Sequence, residues 1–301
     1  MRQDERGLFP VRVLPGNFMD WFLNITPDFK EEFESEITYN SLNELIAYKV
    51  TETPVTIAAE ITHDHQIVLY ENYNELLWCV CYGLLTIYDK SYVEPSIAGS
   101  YKGDLIETTV VSRAMSVLGA GISLVNYFHK DVFFDLPNPE TTENDSEFVT
   151  KANGIYCGAM TFTLLHEFSH QIYGHVDYYS PPDESKKDEL SADDYAIYKI
   201  QQNFGNEKGA TLKAGVVLGI VALAFLDKTL TGGETHPDLD DRLQIAMEML
   251  DLDENNHLWG IAALGLTFWT KRYGYKVNMP MTVETTKELF YLTCAEVRRL
   301  K

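Results

Sequence analysis

The chain has 301 residues, 45% of them hydrophobic, with 45 acidic against 24 basic side chains and a formal net charge of −21. This composition excludes collagen-like, low-complexity and wholly disordered proteins. The negative charge would repel phosphate backbones and anionic lipids, so it disfavours nucleic acids and membrane surfaces as partners.

The N-terminal residues and the cysteines indicate the compartment. No apolar core follows the charged residues at the N-terminus, which predicts no secretory signal. Cysteines are too sparse for a disulfide scaffold, and we expect them to be reduced and mostly buried; they are Cys79, Cys81, Cys157 and Cys294. The longest apolar run, 214–226, is shorter than the about 20 residues that cross a bilayer. It predicts a buried core helix, with an interfacial helix as the alternative. We therefore expect a cytoplasmic protein without stable membrane insertion.

The first half of the chain predicts a mixture of helices and strands. A helix over 41–49 would begin at a serine N-cap. Two β-rich runs, 55–62 and 66–70, predict a hairpin with its turn at 63–65. Apolar residues at intervals of three and four predict helices over 71–89 and 106–128. The acidic, proline-containing segment 135–146 predicts a solvated loop.

From about residue 148 onward the pattern is helical. We predict helices over 156–174, 185–204, 213–227, 238–250, 257–273 and 286–300. The second of these would begin at Ser185, where Ser185-Lys186-Lys187-Asp188 approximates a capping box. The fold class is therefore mainly α with a small β element. We expect an N-terminal region, 1–147, with the hairpin and some helices, and a helical region, 148–301; one continuous domain is the alternative.

A metal-binding motif lies within the helix predicted at 156–174. His166-Glu167-Phe168-Ser169-His170 is an H-E-x-x-H sequence. On an α-helix, residues four apart differ by about 40° of rotation and roughly 6 Å of rise, so both imidazoles point the same way. Zinc accepts such neutral nitrogen ligands. Glu167 lies beside the pair, where it can reach a metal-bound water as a general base.

A catalytic zinc ion needs a third protein ligand and an open fourth position. His175 is disfavoured, because five residues beyond His170 a side chain points about 140° away on a continuous helix. Glu189 is the better candidate, since a loop at 180–182 would return a second, antiparallel helix alongside the histidines. Asp193 shares the face of Glu189 and could accept the free ring N–H of a ligand histidine. Asp188 and its charged neighbours are expected to be solvated.

Two further histidines flank the predicted hairpin turn. His63 and His65 alternate along the chain, so on a strand they would share a face and could hold a second metal. A polar turn is the alternative, and Asp64 between them favours it. The hairpin itself could present an exposed strand to an extended substrate.

At this point the sequence resembles the gluzincin metallopeptidases. H-E-x-x-H followed by E-x-x-A-D is the pattern of that group, in particular of the membrane CAAX prenyl proteases and their soluble minimal relatives. The resemblance implies a zincin-like α+β fold in which the H-E-x-x-H helix packs against the helix with the glutamate ligand. It also implies that Glu189 is the third zinc ligand and that Asp193 is the neighbour behind the ligands, which does not touch the metal itself.

A second segment, Thr235-His236-Pro237, matches the same group, with an arginine six residues after the histidine. By resemblance, His236 would stabilise the oxyanion and Arg242 would orient its segment. The order of the parts is also similar to the bacterial phage-exclusion peptidases, which are soluble and cytoplasmic. The resemblance covers roughly residues 158–250, and residues 1–150 show no match of this kind.

Together these observations predict a cytoplasmic Zn²⁺-dependent endopeptidase with Glu167 and His236 as catalytic residues. The resemblance further implies a latent phage-defence protease that acts on a host protein, such as a translation factor, after a protein or peptide activator binds. Two alternatives stay open. One is a non-enzymatic, zincin-like binding or regulatory protein; the other is a protease that cleaves a repressor in a toxin–antitoxin-type system.

Overall fold

Helices account for most of the computed structural model, which describes residues 10–100, 105, 108–128, 146–178, 180–226, 229–277 and 283–301. These residues form eleven α-helices: α1 (Pro15–Leu23), α2 (Phe29–Tyr39), α3 (Glu71–Tyr88), α4 (Glu94–Ile97), α5 (Thr109–Ser123), α6 (Ser146–Ile172), α7 (Pro182–Gln201), α8 (Gly209–Ala224), α9 (Leu239–Met249), α10 (His257–Arg272) and α11 (Thr286–Leu300). They also form three strands: β1 (Ala47–Lys49), β2 (Ala59–Ile61) and β3 (Ile67–Tyr70). The prediction of a mainly α fold with a small β element is confirmed.

Four helices agree with their predicted bounds to within one residue at each end: α3, α9, α10 and α11. The helix α6 begins earlier than predicted, at Ser146; the rest of the loop predicted at 135–146 lies outside the described residues. The helix α7 begins at Pro182, a residue whose fixed φ suits the first helical turn. Ser185 therefore lies inside α7, where its Oγ donates to the carbonyl of Thr235 at 3.0 Å. The predicted capping box is wrong.

The helix predicted at 41–49 is also wrong. Ser41 has a positive φ of 64°, which is incompatible with a helix start. The backbone N–H of Asn43 donates to the carbonyl of His65 at 2.9 Å, and Ala47–Lys49 is the strand β1. Pairing with a distant strand has overridden the local helical pattern.

The three strands form one small sheet in the order β1-β3-β2. The pair of β2 and β3 is antiparallel, with Ala59 opposite Leu69 and Ile61 opposite Ile67, whereas β1 runs parallel to β3. The predicted hairpin is confirmed, although its first strand covers only Ala59–Ile61 of the predicted run 55–62. The strand β2 lies at an edge of this sheet.

The apolar helix predicted from 213–227 is buried in the core as α8. It crosses α6 so closely that a Cβ atom at Gly215 would lie 2.4 Å from the backbone of Gly158. Only glycine permits this approach, which fixes the metal-motif helix against the core. None of the described helices combines the length and apolar character that crossing a membrane requires.

The buried apolar side chains form one cluster that draws on both sides of the predicted boundary at 147/148. All four cysteines are buried and free of disulfides, as predicted. The division into 1–147 and 148–301 stays a prediction.

The helix α3 buries two glutamates one turn apart. Glu71 forms a buried ion pair with Arg12, with Nε and Nη2 of the arginine 2.6 and 3.0 Å from the two carboxylate oxygens. Glu75 accepts from the backbone N–H of Val11, but its Oε2 has no hydrogen-bond partner among the described residues. Burial, followed by the charge of Glu71, raises the pKa of Glu75 well above its usual value.

We expect Glu75→Gln to stabilise the protein at pH 8. A raised carboxyl pKa contributes stability below the unfolded pKa of about 4.3 and loses it as the pH rises, because the unfolded chain ionises freely while the folded chain does not. The free energy of unfolding of the variant, measured with urea, should therefore exceed that of the wild type by roughly 1–3 kcal/mol at pH 8. Near pH 4 the two should differ little.

Glu71→Gln is the matched control, since it removes one carboxylate from a buried ion pair. It should destabilise the protein by about 3–5 kcal/mol. A Glu75→Gln protein that is less stable than the wild type at pH 8 would contradict the burial argument.

Candidate metal centre

The helix α6 places the H-E-x-x-H motif at the bottom of a cleft. His166 and Glu167 are buried, with 7% and 9% of their surface exposed, and the side chain of His170 is 13% exposed. The two Nε2 atoms of His166 and His170 lie 3.3 Å apart, as the spacing of four residues predicts. The motif therefore presents two imidazoles to one point.

The helix α7 brings Glu189 to the same point. Its Oε2 lies 3.5 Å from Nε2 of His166, and its Oε1 lies 3.6 Å from Nε2 of His170. Within the described parts of the chain, these three residues are the one group of histidine, cysteine or carboxylate side chains whose ligand atoms converge closely enough to hold a metal ion. The structure thus brings together the ligand set that the sequence predicts.

The closest separations between these three side chains are compatible with a tetrahedral metal ion such as zinc. In a tetrahedral site with bonds of 2.0–2.1 Å, any two ligand atoms are about 3.3–3.4 Å apart. The two Nε2 atoms are 3.3 Å apart, and they lie 3.5 and 3.6 Å from Oε2 and Oε1 of Glu189 respectively, so the carboxylate can approach a shared cation through either oxygen. Two nitrogens and a carboxylate are also the donor set of many catalytic zinc ions, which leave a fourth position open.

A buried ion pair supports the ligands from below. Oδ1 of Asp193 lies 2.9 Å from Nδ1 of His166, the ring nitrogen that points away from the other ligands. Arg242, at the start of α9, donates through Nη2 to the same Oδ1 at 2.8 Å, and its Nη1 lies 3.5 Å from Oε2 of Glu189. These contacts place Arg242 against the ligand carboxylates; the predicted orientation of the His236 segment by Arg242 stays a prediction.

The electrostatics of this cluster favour a cation. Burial alone would lower the pKa of His166, but the hydrogen bonds to Asp193 and Glu189 outweigh it and raise that pKa to about 10. Burial and the positive charge of His166 lower the pKa of His170 to about 3, so that ring stays neutral. The two carboxylates exceed the single guanidinium in charge. The excess negative charge that holds a proton on His166 would equally attract a divalent cation.

Glu167 faces the cleft without joining the ligand group. The backbone N–H of Ile61, in the strand β2, donates to its carboxylate. Burial raises the pKa of Glu167 to about 7. A carboxylate with this pKa can both accept and return a proton near neutral pH.

His236 lies at the rim of the cleft, with 58% of its side chain exposed. Its Nε2 is 3.8 Å from Oε1 of Glu189, and its Nδ1 is 3.0 Å from the hydroxyl of Thr235. Gly232 permits this turn, because a Cβ there would lie 2.2 Å from the carbonyl oxygen of Pro237. The structure thus brings His236 near the ligands, while its role towards an oxyanion stays a prediction.

The histidines of the hairpin connect β2 and β3 to the last turn of α6 and to the residues that follow it. Nδ1 of His63 lies 3.0 Å from the carbonyl oxygen of Val176, and Nδ1 of His65 lies 2.9 Å from Oε1 of Gln171. Neither ring belongs to the metal-ligand group found among the described residues. These contacts hold the edge strand β2 against α6.

Sequence reasoning missed two residues of the site. His175 lies with its Nδ1 2.9 Å from Nδ1 of His170, and its Nε2 is 3.4 Å from Oδ1 of Asp188. Asp188, expected to be solvated, has only 21% of its side chain exposed and accepts from the hydroxyl of Ser180 at 2.6 Å. The sequence feature that could have indicated the position of His175 is Gly174. Its positive φ of 67° follows the end of α6 and reverses the direction of the chain.

A cleft with a volume of about 520 Å³ lies over the ligands. One wall is β2 with the preceding residues 56–58, and the floor is α6. The lining also includes the apolar side chains of Leu223, Leu226 and Leu239. The three candidate ligands and Glu167 thus line one and the same cleft.

A model of the family described as Peptidase U49 matches residues 67–262, about two thirds of the chain. The chain belongs to the Peptidase U49 family. The matched span includes His166, His170 and Glu189 together with Glu167 and His236, whereas the hairpin histidines and the edge strand β2 precede it. Membership of U49 supports a peptidase function. Searches of the curated proteins and of the solved structures found no match.

Proposed function

We propose that this U49 family member is a zinc-dependent endopeptidase of the gluzincin type that hydrolyses a peptide bond in a cytoplasmic protein. The observation that carries the proposal is the convergence of His166, His170 and Glu189 to within 3.3–3.6 Å of one another. A structural metal site would have no need of Glu167, a buried carboxylate beside the ligands with a pKa of about 7.

The residues of the cleft have separate roles in this mechanism. Zn²⁺ held by His166, His170 and Glu189 would supply Lewis acidity, which activates water and polarises the scissile carbonyl. The carboxylate of Glu167 takes the proton of the attacking water and returns it to the leaving amine. His236, at the rim, donates to the oxygen that becomes negative in the transition state.

The edge strand β2 is the proposed binding site for the substrate backbone. Extended peptides add to exposed sheet edges through main-chain hydrogen bonds. The strand β2 is at an edge of the sheet, and its residues line the cleft together with residues 56–58 and the apolar Leu223 and Leu239. The substrate is thus a protein or peptide segment that becomes extended, with an apolar side chain near the scissile bond.

A biological role follows by resemblance. The order of the H-E-x-x-H, E-x-x-A-D and Thr-His-Pro segments is similar to the phage-exclusion peptidases. We therefore propose a latent protease of phage defence that an activator from the phage switches on in the cytoplasm. Purified protein should then leave casein intact until a phage-derived partner is added.

The test combines metal removal with a search for new N-termini. Wild-type protein and Glu189→Gln are incubated with lysates of uninfected and phage-infected bacteria, and new N-termini are identified by mass spectrometry. We expect the wild type to cut a host protein in the infected lysate. A chelator should abolish cleavage by the wild type, and added Zn²⁺ should restore it. Glu189→Gln should not cleave the host protein with or without added Zn²⁺.

Three results would count against parts of this proposal. Cleavage that survives chelation would refute zinc dependence, and digestion of casein by the purified protein would refute latency. Wild-type protein that binds Zn²⁺ but cuts nothing in either lysate would favour a zincin-like binding protein instead.

A further inference from the structure

The two histidines of the metal centre differ in what holds their second ring nitrogen. Nδ1 of His166 lies against the carboxylate of Asp193 at 2.9 Å. Nδ1 of His170 lies against another imidazole, with Nδ1 of His175 2.9 Å away. Outer partners of this kind set the tautomer and direction of a metal-binding imidazole. The role of His175 towards His170 is therefore comparable to that of Asp193 towards His166.

The fold places His175 there because α6 ends two residues after the motif. On a continuous helix, residue 175 would point about 140° away from residue 170. The helix instead ends at Ile172, Gly174 adopts a left-handed φ of 67°, and residues His175–Asp177 form a short 3-10 turn. This turn folds the ring of His175 back beneath that of His170, with 5.1 Å between the ring centroids.

The ring of His175 is held from several sides. It contacts the rings of Tyr173 and Tyr178, with centroid separations of 5.5 and 6.5 Å. The next residue, Val176, is tied to the hairpin through the contact between its carbonyl oxygen and His63. His175 is only 11% exposed at its side chain. Its orientation is thus set by packing as well as by its polar contacts.

The positions of the nitrogens allow one arrangement of protons when a cation is bound. Nε2 of His170 faces the other ligands, so a bound cation leaves the ring proton of His170 on Nδ1. That N–H then donates to Nδ1 of His175, and the proton of His175 must lie on Nε2. Nε2 of His175 is 3.4 Å from Oδ1 of Asp188, which can accept it.

This chain of contacts connects two of the metal ligands. Asp188 immediately precedes Glu189 in α7, and its other oxygen accepts from the hydroxyl of Ser180. The side chain that holds His170 is therefore itself held by the helix that carries the third ligand. A shift of α7 would move Glu189 and the support of His170 together.

We propose that His175 is a positioning residue of the metal centre, which keeps the ring proton of His170 on Nδ1 and aims Nε2 of His170 at the bound cation. This inference rests on the metal centre of the proposed function. It assigns to His175 a part in metal affinity without making it a ligand.

Two variants of the full-length protein separate the acceptor of His175 from its ring. His175→Phe keeps an aromatic ring between Tyr173 and Tyr178 but has no acceptor. His175→Asn loses the ring but places Oδ1 where Nδ1 was, since both atoms are bonded to Cγ. The dissociation constant for Zn²⁺ is measured by competition with a chromophoric chelator, and circular dichroism checks the fold.

We expect His175→Phe to weaken Zn²⁺ binding by about 10–100-fold, the usual effect of losing an outer partner. His175→Asn should stay within about threefold of the wild type, because it retains the acceptor. A residue that only packs would show the reverse order. If the Phe variant does not fold, His175→Leu, which also lacks an acceptor, takes its place.

Wild-type affinity in His175→Phe, or an Asn variant as weak as the Phe variant, would overturn this role while leaving the metal centre intact. A wild-type protein that binds no Zn²⁺ would instead refute the metal centre itself. The two failures are thus distinguishable by the wild-type measurement alone.

Discussion

Glu167→Gln is expected to lower kcat by about two to four orders of magnitude while the protein keeps its Zn²⁺. Glutamine has nearly the same shape as glutamate but cannot take a proton from water. The ligand group consists of His166, His170 and Glu189, so exchanging Glu167 leaves its atoms in place. The measurement is the metal content of the purified protein together with its rate on the cleaved host protein.

Two further variants make this result specific. His170→Ala removes a ligand and should lose both metal and activity. Glu184→Gln, an exposed change in the first turn of α7, should alter neither. A Glu167→Gln protein that cuts at the wild-type rate would show that the proton is carried by another group.

The local part of the site could be predicted from the sequence because helical geometry sets it. A spacing of four residues determines that His166 and His170 converge, and their Nε2 atoms do lie 3.3 Å apart. Glu189 depended on one further assumption, an antiparallel return after 180–182, which α7 satisfies. Asp193 then follows one turn along the same helix.

The direction of His175 was predicted wrongly, because the geometry of a continuous helix does not apply to this residue. The rotation of about 140° holds only if α6 continues beyond residue 174. Gly174 ends it, and the direction after a left-handed residue depends on the contacts of the following turn. A glycine about one turn beyond a helical motif is therefore a reason to leave the direction of the next residue open.

The secondary structure of the N-terminal segments could not be predicted for a different reason. The strand β1 is three residues long and exists through pairing with β3, about 20 residues further along the chain, so no local pattern marks it. The helices α1 and α2 were not predicted, although Phe22, Phe29 and Phe33 all pack on Phe168 of α6. The spacing of these phenylalanines can be read from the sequence, but the sequence does not show that they pack on Phe168.

Arg242→Met is expected to destabilise the protein by about 3–5 kcal/mol, the usual loss when one partner of a buried ion pair is removed. The arginine side chain is 6% exposed and contacts both Asp193 and Glu189. Methionine fills much of the same volume without charge. The loss of unfolding free energy would therefore come from the two unpaired carboxylates rather than from a cavity. Urea unfolding of chelated protein measures it.

Arg299→Met is the matched control, because Arg299 is 55% exposed and pairs with Glu296 on the surface of α11. Exposed pairs contribute about 0–1 kcal/mol, so this variant should unfold almost as the wild type does. If Arg242→Met is no less stable than Arg299→Met, Arg242 does not hold the buried carboxylates.

Excess Zn²⁺ should change the result for Arg242→Met in a defined direction. A divalent cation at the proposed centre offsets the charge of Glu189, so it should recover part of the lost stability. It should not recover all of it, because Asp193 still lacks its guanidinium and holds Nδ1 of His166 less firmly. An Arg242→Met protein whose unfolding does not respond to Zn²⁺, beside a wild type that does, would show that the arginine is required for the metal site to form at all.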